Sequence, residues 1–212
     1  MDEAGKLAEN TAILMNVSEF DNITNATDTL VSALQAYKSE GSDVVGLSMD
    51  IINKYNEIGN NYAISTSDLA NSLTRSSATL VAAGNTLSES IAMTTAANAT
   101  IQDPNAVGNA LKVVAMRIRG TTATILEDMG EDTEGLIEST SKLQAKIQAL
   151  TNIDGKGGIS ILADDGSYKS TYEILLEISK VFDKIDDKSQ AALLELLAGE
   201  LLASTHLIAG TP

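Results

Sequence analysis

The chain has no cysteine, no tryptophan, one histidine and only two prolines among 212 residues. Without cysteine it can form no disulfide, no thiolate metal site and no thiol nucleophile, a composition that fits a reducing cytoplasm. So few prolines leave long helices uninterrupted. Aromatic residues make up 3% of the chain against 43% hydrophobic residues overall. A core must therefore be built from Leu, Ile, Val, Ala and Met, which suits helix-on-helix packing. Basic residues are also scarce, 14 against 29 acidic ones, giving a formal charge of −15. Neutralising a phosphate backbone needs a surplus of Lys and Arg, so no specific nucleic-acid binding is expected, and duplex DNA should bind weakly or not at all. The acidic surface has two readings: simple solubility, or a face that DNA can slide past without sticking.

Long apolar runs are missing too. Asp2 and Glu3 stand where a signal peptide would carry positive charge, and no run reaches the ~18–20 apolar residues a membrane span requires. Neither a signal peptide nor a membrane span is expected. The length allows one good core or two small helical lobes.

What is present is helical periodicity with clear start and stop signals. Helices are expected from about Asp2 to Met15, then after Asn25 with Leu30, Leu34 and Tyr37 on one face. A third should span Asp43 to Ile58 and stop at Gly59. Thr66 or Ser67 caps a fourth that ends at Gly84, and Thr86 with Glu89 forms a capping box for a fifth. Asp103-Pro104 opens a sixth, with Val107, Leu111, Val114 and Ile118 in register and Gly120 as its stop. Thr121–Met129 can make a short helix, and Thr133–Leu150 a polar one. Three glycines in Asp154-Gly155-Lys156-Gly157-Gly158 break the pattern. The fold class read from this is all-α, with at most one small β-hairpin near residues 158–168, turned at Asp165-Gly166. Helices from Thr171 to Ile185 and from Asp186 or Asp187 through Leu202 complete the chain.

Reactive constellations are absent from the pattern, so no catalytic, cofactor-binding or metal-binding residue is assigned and no enzyme activity is expected. His206 stands among Ser204, Thr205 and apolar residues, with no partner for base chemistry, and reads as a plain surface residue. The pairs Glu127-Asp128, Asp164-Asp165 and Asp186-Asp187 lack a calcium-loop pattern and read as turn or capping residues. The glycines at 155, 157 and 158 lack the Lys-Ser/Thr of a phosphate loop.

The stretch Asn109–Gly120 places Lys112, Arg117 and Arg119 within eight positions of an otherwise acidic chain. On the helix, Lys112 and Arg119 fall on one flank of the apolar stripe and Arg117 on the other, so they bracket a buried face. This stretch and others resemble the core region of phage tail tape measure proteins. The resemblance is carried by Leu14-Met15-Asn16-Val17-Ser18, Tyr55–Ser65, Ala82–Thr86 with Glu89-Ser90-Ile91, and Ala96-Ala97-Asn98. It continues through Met116-Arg117-Ile118-Arg119-Gly120, Gly130–Gly135, Lys169-Ser170-Thr171-Tyr172 and Gln190–Glu195.

Taken in order, these stretches cover residues 1–199, with a possible sub-boundary at the Gly-rich loop 154–158. The resemblance implies a structural and assembly protein that templates tail length and occupies the tail tube. Its partners would be other copies of itself, tail tube and tail-initiation proteins, and tail chaperones. It would reside in the host cytoplasm during assembly and then in the tail tube lumen of the virion. The resemblance singles out Arg117 and Arg119, either as contacts to another copy or tail protein, or as ion pairs with the acidic run Glu127–Glu138.

Residues 200–212 depart from the family, so a variant end, a fragment or a shortened member is expected. Leucines at 193, 194, 196, 197, 201 and 202 surround the last helix, which then needs cover from a partner or from missing chain. Self-association through Leu197, Leu201 and Leu202 follows as an expectation. An alternative reading of the Ala/Ser/Thr/Asn-rich composition is a bacterial helical interaction protein or secreted filament-like protein without catalytic activity.

Overall fold

The computed structural model describes residues 2–41, 43–120, 127, 130 and 139–203, with side chains described as far as residue 199. Of the described residues, 72% are helical, in nine helices with no strand. They are α1 (Glu3–Asn16), α2 (Ile23–Ala36), α3 (Val44–Asn61), α4 (Thr66–Ala82) and α5 (Leu87–Ile101), then α6 (Pro104–Ile118), α7 (Thr140–Leu150), α8 (Thr171–Phe182) and α9 (Asp187–Ala203). The chain forms two compact units, Met1–Leu111 and Lys112–Pro212. The division falls within α6, and the Gly-rich loop 154–158 lies inside the second unit.

Capping chemistry sets the starts. Asp2, Asn22, Asp43 and Ser65 each accept the backbone N–H three residues on, which satisfies one of the donors a helix leaves open. Thr86 and Glu89 close the expected capping box, and Ser170 with Glu173 forms a second. Asp103 accepts from Asn105 and Ala106 at 2.8 and 3.0 Å, with Pro104 as the first helical residue. Helix α2 begins three residues before the expected start because Asn22 is the cap. For α4 the cap is Ser65, one residue before the expected pair.

Gly59 does not stop α3, which runs on to Asn61. A side chain at Gly59 would overlap the Thr66 hydroxyl at the start of α4, so this glycine serves close packing and not termination. The proposed helix at Thr121–Met129 and the opening of the polar helix at residues 133–138 lie outside the described residues, Glu127 excepted. Around Asp164-Asp165-Gly166, the hairpin reduces to a single antiparallel bridge between Leu162 and Tyr168. Two bonds close it, Ala163 N–H to the Ser167 carbonyl and Lys169 N–H to the Ile161 carbonyl.

In the first unit, α2 packs on α4, α4 on α5, and α1 on α3. Their shared core includes Leu14, Leu30, Ile51, Tyr55, Leu69 and Leu73. The second unit gathers Val114 and Ile118 of α6, Ile147 of α7, Ile174 and Ile178 of α8, and Leu193, Leu196 and Leu197 of α9.

This corrects the reading of the last helix. Its leucines at 193, 196 and 197 are covered by their own unit, and Leu197 is fully buried, so it is not available to a second copy. The helix also does not run straight to Leu202. Gly199 sits at φ 75°, ψ 171° with helix on both sides, a backbone region essentially reserved for glycine. The side chains of Leu201 and Leu202, and all of His206, lie outside the described residues.

Candidate functional site

The basic stretch singled out by sequence lies on the α6 end that belongs to the second unit. Val107, Leu111, Val114 and Ile118 form the expected buried stripe. Ala110, Val113 and Arg117 form a second buried line beside it, so α6 is enclosed on more than one side. Of the three basic groups, Lys112 and Arg119 are half-buried, whereas Arg117 is only 1% exposed. The two arginines therefore do not flank the buried face as a matched pair: Arg117 is part of it.

Both arginines reach across the unit to backbone carbonyls. Arg117 donates from Nη1 to the Glu195 carbonyl of α9 at 3.3 Å. That carbonyl lies four residues before Gly199, close to where α9 bends, and a guanidinium there complements the negative end of the first helical segment. Arg119 donates from Nη2 to the Lys169 carbonyl at 3.1 Å, and its guanidinium carbon lies 4.4 Å from the centre of the Tyr168 ring. This stacking is a cation–π contact. Burial lowers the Arg119 pKa and the nearby Tyr168 phenol acts in the opposite direction; at neutral pH the group is a cation.

The segment held by Arg119 has further ties. The Tyr168 hydroxyl pairs with the Thr140 hydroxyl at 2.6 Å, and Lys169 makes a two-oxygen ion pair with Glu177 of α8 at 2.8 Å. From the end of α6, Arg119 thus fixes the lead-in to α8 and Arg117 fixes α9. Of the acidic run expected to pair with them, only Glu127 is among the described residues. Tyr168 and the Lys169–Glu177 pair were not singled out by sequence. Lys169 was visible only as part of a resembling stretch, and nothing in the local pattern brings either residue to Arg119 or Glu177.

Beside this cluster, a groove of about 460 Å³ runs between the Gly-rich loop and α8, with Lys156, Ser160, Lys169 and Glu177 on its walls. Asp165 and Asp186 are fully exposed, and both carboxyls are held below the ordinary carboxylate range, chiefly by the hydroxyls of Ser167 and Ser189. Those contacts are turn and cap contacts, as the sequence pattern implied. Among the described residues no group of three or more His, Cys, Asp or Glu side chains could hold a metal ion, and no helix is long and apolar enough to cross a membrane.

A structural role makes the two arginines unequal. Exchanging Arg117 for methionine should cost about 2–4 kcal/mol, because the Glu195 carbonyl loses a charged donor and a fully buried side chain is repacked. Exchanging half-exposed Arg119 for methionine should cost about 1–2 kcal/mol. Urea denaturation followed by circular dichroism measures both, and equal midpoints for the two variants would contradict the assignment.

The two arginines tie α6 to the lead-in of α8 and to α9 through carbonyl contacts. No solved structure matches the chain. Residues 1–199 match the family of phage-related minor tail proteins. With that match spanning nearly all of its 212 residues, the chain belongs to the phage-related minor tail protein family and is a structural component of a phage tail.

Proposed function

We propose that this chain is the core region of a tail tape measure protein, which templates tail length and occupies the tail tube. The observation that carries this reading is the span of the family match. It covers the same residues, 1–199, over which the tape-measure-like stretches follow one another in order. The all-helical fold and an arginine cluster that stabilises the fold are in keeping with a mechanical role. Tail tube proteins, tail-initiation proteins, chaperones and further copies of the chain are the partners this reading names. Assembly in the host cytoplasm, followed by residence in the tube lumen, is the location it names.

Deleting the gene from its phage or prophage and imaging the particles by negative-stain electron microscopy tests the proposal. Tails should be missing, or tubes should lose their uniform length. Tails of normal length that fail only to attach to cells would overturn it and indicate a distal tail role.

A further inference from the structure

The chain has two Asp-Gly pairs, Asp154-Gly155 and Asp165-Gly166. Such a pair carries a chemistry of its own, because glycine has no side chain to shield its amide nitrogen from the aspartate before it. That nitrogen attacks the Cγ of the protonated carboxyl, and the amide proton and carboxyl hydroxyl leave as water. A five-membered succinimide results, which solvent water reopens. Attack at the former side-chain carbonyl restores aspartate. Attack at the main-chain carbonyl gives isoaspartate, whose chain runs through Cβ and Cγ. Nothing is oxidised or reduced, and the mass of the chain is unchanged.

The two pairs sit in different surroundings. Asp165-Gly166 is held at each group the reaction uses. The Asp165 carboxylate accepts from the Ser167 N–H at 2.9 Å and from the Ser167 hydroxyl at 2.6 Å. The Gly166 N–H donates to the Ala163 carbonyl at 3.0 Å. Ser167 also holds the carboxyl below the ordinary carboxylate range, which keeps it in the unreactive ionised form. To react, this pair must give up three hydrogen bonds.

Asp154-Gly155 has none of these ties. The pair forms the centre of a tight turn closed by one bond, Lys156 N–H to the Ile153 carbonyl at 3.2 Å. Among the described residues, neither the Asp154 carboxyl nor the Gly155 N–H makes a hydrogen bond. Residues 154–157 are all exposed, and a side chain added at Gly155 would meet nothing within 4 Å. The turn therefore has room to bring the nitrogen onto Cγ. Asp154 also sits at φ 55°, a left-handed conformation that is costly for an L-residue and that leaving the turn relieves. We propose that Asp154-Gly155 is a site of spontaneous isoaspartate formation in the folded protein, while Asp165-Gly166 is protected by its own turn.

Trypsin cuts after Lys146, Lys156 and Lys169, so the two pairs fall on separate peptides, 147–156 and 157–169. The full chain is kept folded in warm, mildly acidic buffer for weeks and then digested, and electron-transfer fragmentation distinguishes isoaspartate from aspartate. Peptide 147–156 should accumulate isoaspartate about tenfold faster than 157–169, the factor that one hydrogen bond to a charged group supplies. In guanidinium chloride, where the turns are lost, the two rates should converge. Equal accumulation in the folded chain, or a ratio that persists in the denaturant, would overturn the proposal.

Discussion

A Leu197→Asp variant is expected to lose the fold of the second unit and not to behave as a folded protein with weakened self-association. Leu197 is fully buried among Leu193, Ile174 and the other members of that core. Deleting a buried leucine costs about 2–5 kcal/mol. An ionised carboxylate in the same place adds an uncompensated buried charge worth several more kcal/mol. Together these rival the whole stability of a domain, about 5–15 kcal/mol. Far-UV circular dichroism with light scattering separates the outcomes. A variant that keeps its helix signal but shifts from oligomer to monomer would return Leu197 to an interface between copies.

The second large effect is expected at Gly158. An added side chain there would overlap the Gln148 carbonyl oxygen and stand 2.5 Å from the carbonyl carbon and Cα of the same residue. These are backbone atoms within α7 and cannot rotate away. The approach is held by two bonds just after the glycine. The Ile159 N–H donates to the Thr151 hydroxyl at 2.8 Å, and the Ile161 N–H donates to the Gln144 side chain at 2.7 Å. A methyl group therefore either strains α7 or peels this segment from it, at about 2–4 kcal/mol. Gly157 is the control. Its φ of 84° makes alanine unfavourable there, but the surroundings are open, so about 1–2 kcal/mol is expected. Urea midpoints should rank wild type above Gly157→Ala and Gly157→Ala above Gly158→Ala. The reverse order for the two variants would contradict the close approach.

Much of the helical layout was legible because its determinants are local. Thr86 with Glu89 and Asp103 with Pro104 mark helix starts in four residues or fewer, and the structure uses them as written. The stripe from Val107 to Ile118 was likewise readable as a buried face. The misreadings have a common cause, since each depends on partners distant in sequence. Gly59 looks like a stop until Thr66 is brought against it. Leu193, Leu196 and Leu197 of α9 look unpartnered until α6, α7 and α8 are packed around them. Arg117 looks like an exposed flank because charge normally marks solvent, whereas here Ala110 and Val113 belong to a second buried line that continues through it. Family resemblance singled out Arg117 and Arg119, but only the packed structure distinguishes the buried one that bonds a carbonyl near the bend of α9 from the half-exposed one that stacks on Tyr168.

The serine and threonine hydroxyls buried along α4 and α5 have a calorimetric consequence. Heat capacity rises when apolar surface is hydrated on unfolding and falls when polar surface is hydrated. A helical unit whose interior includes Ser72, Ser76, Ser77, Ser90 and Thr94 exposes a mixture in which the two contributions partly cancel. Its heat capacity increment per residue should therefore lie below that of a leucine-filled bundle of equal length. Its free energy of unfolding then bends less with temperature, so the margin of stability is spread more evenly between cold and warm hosts.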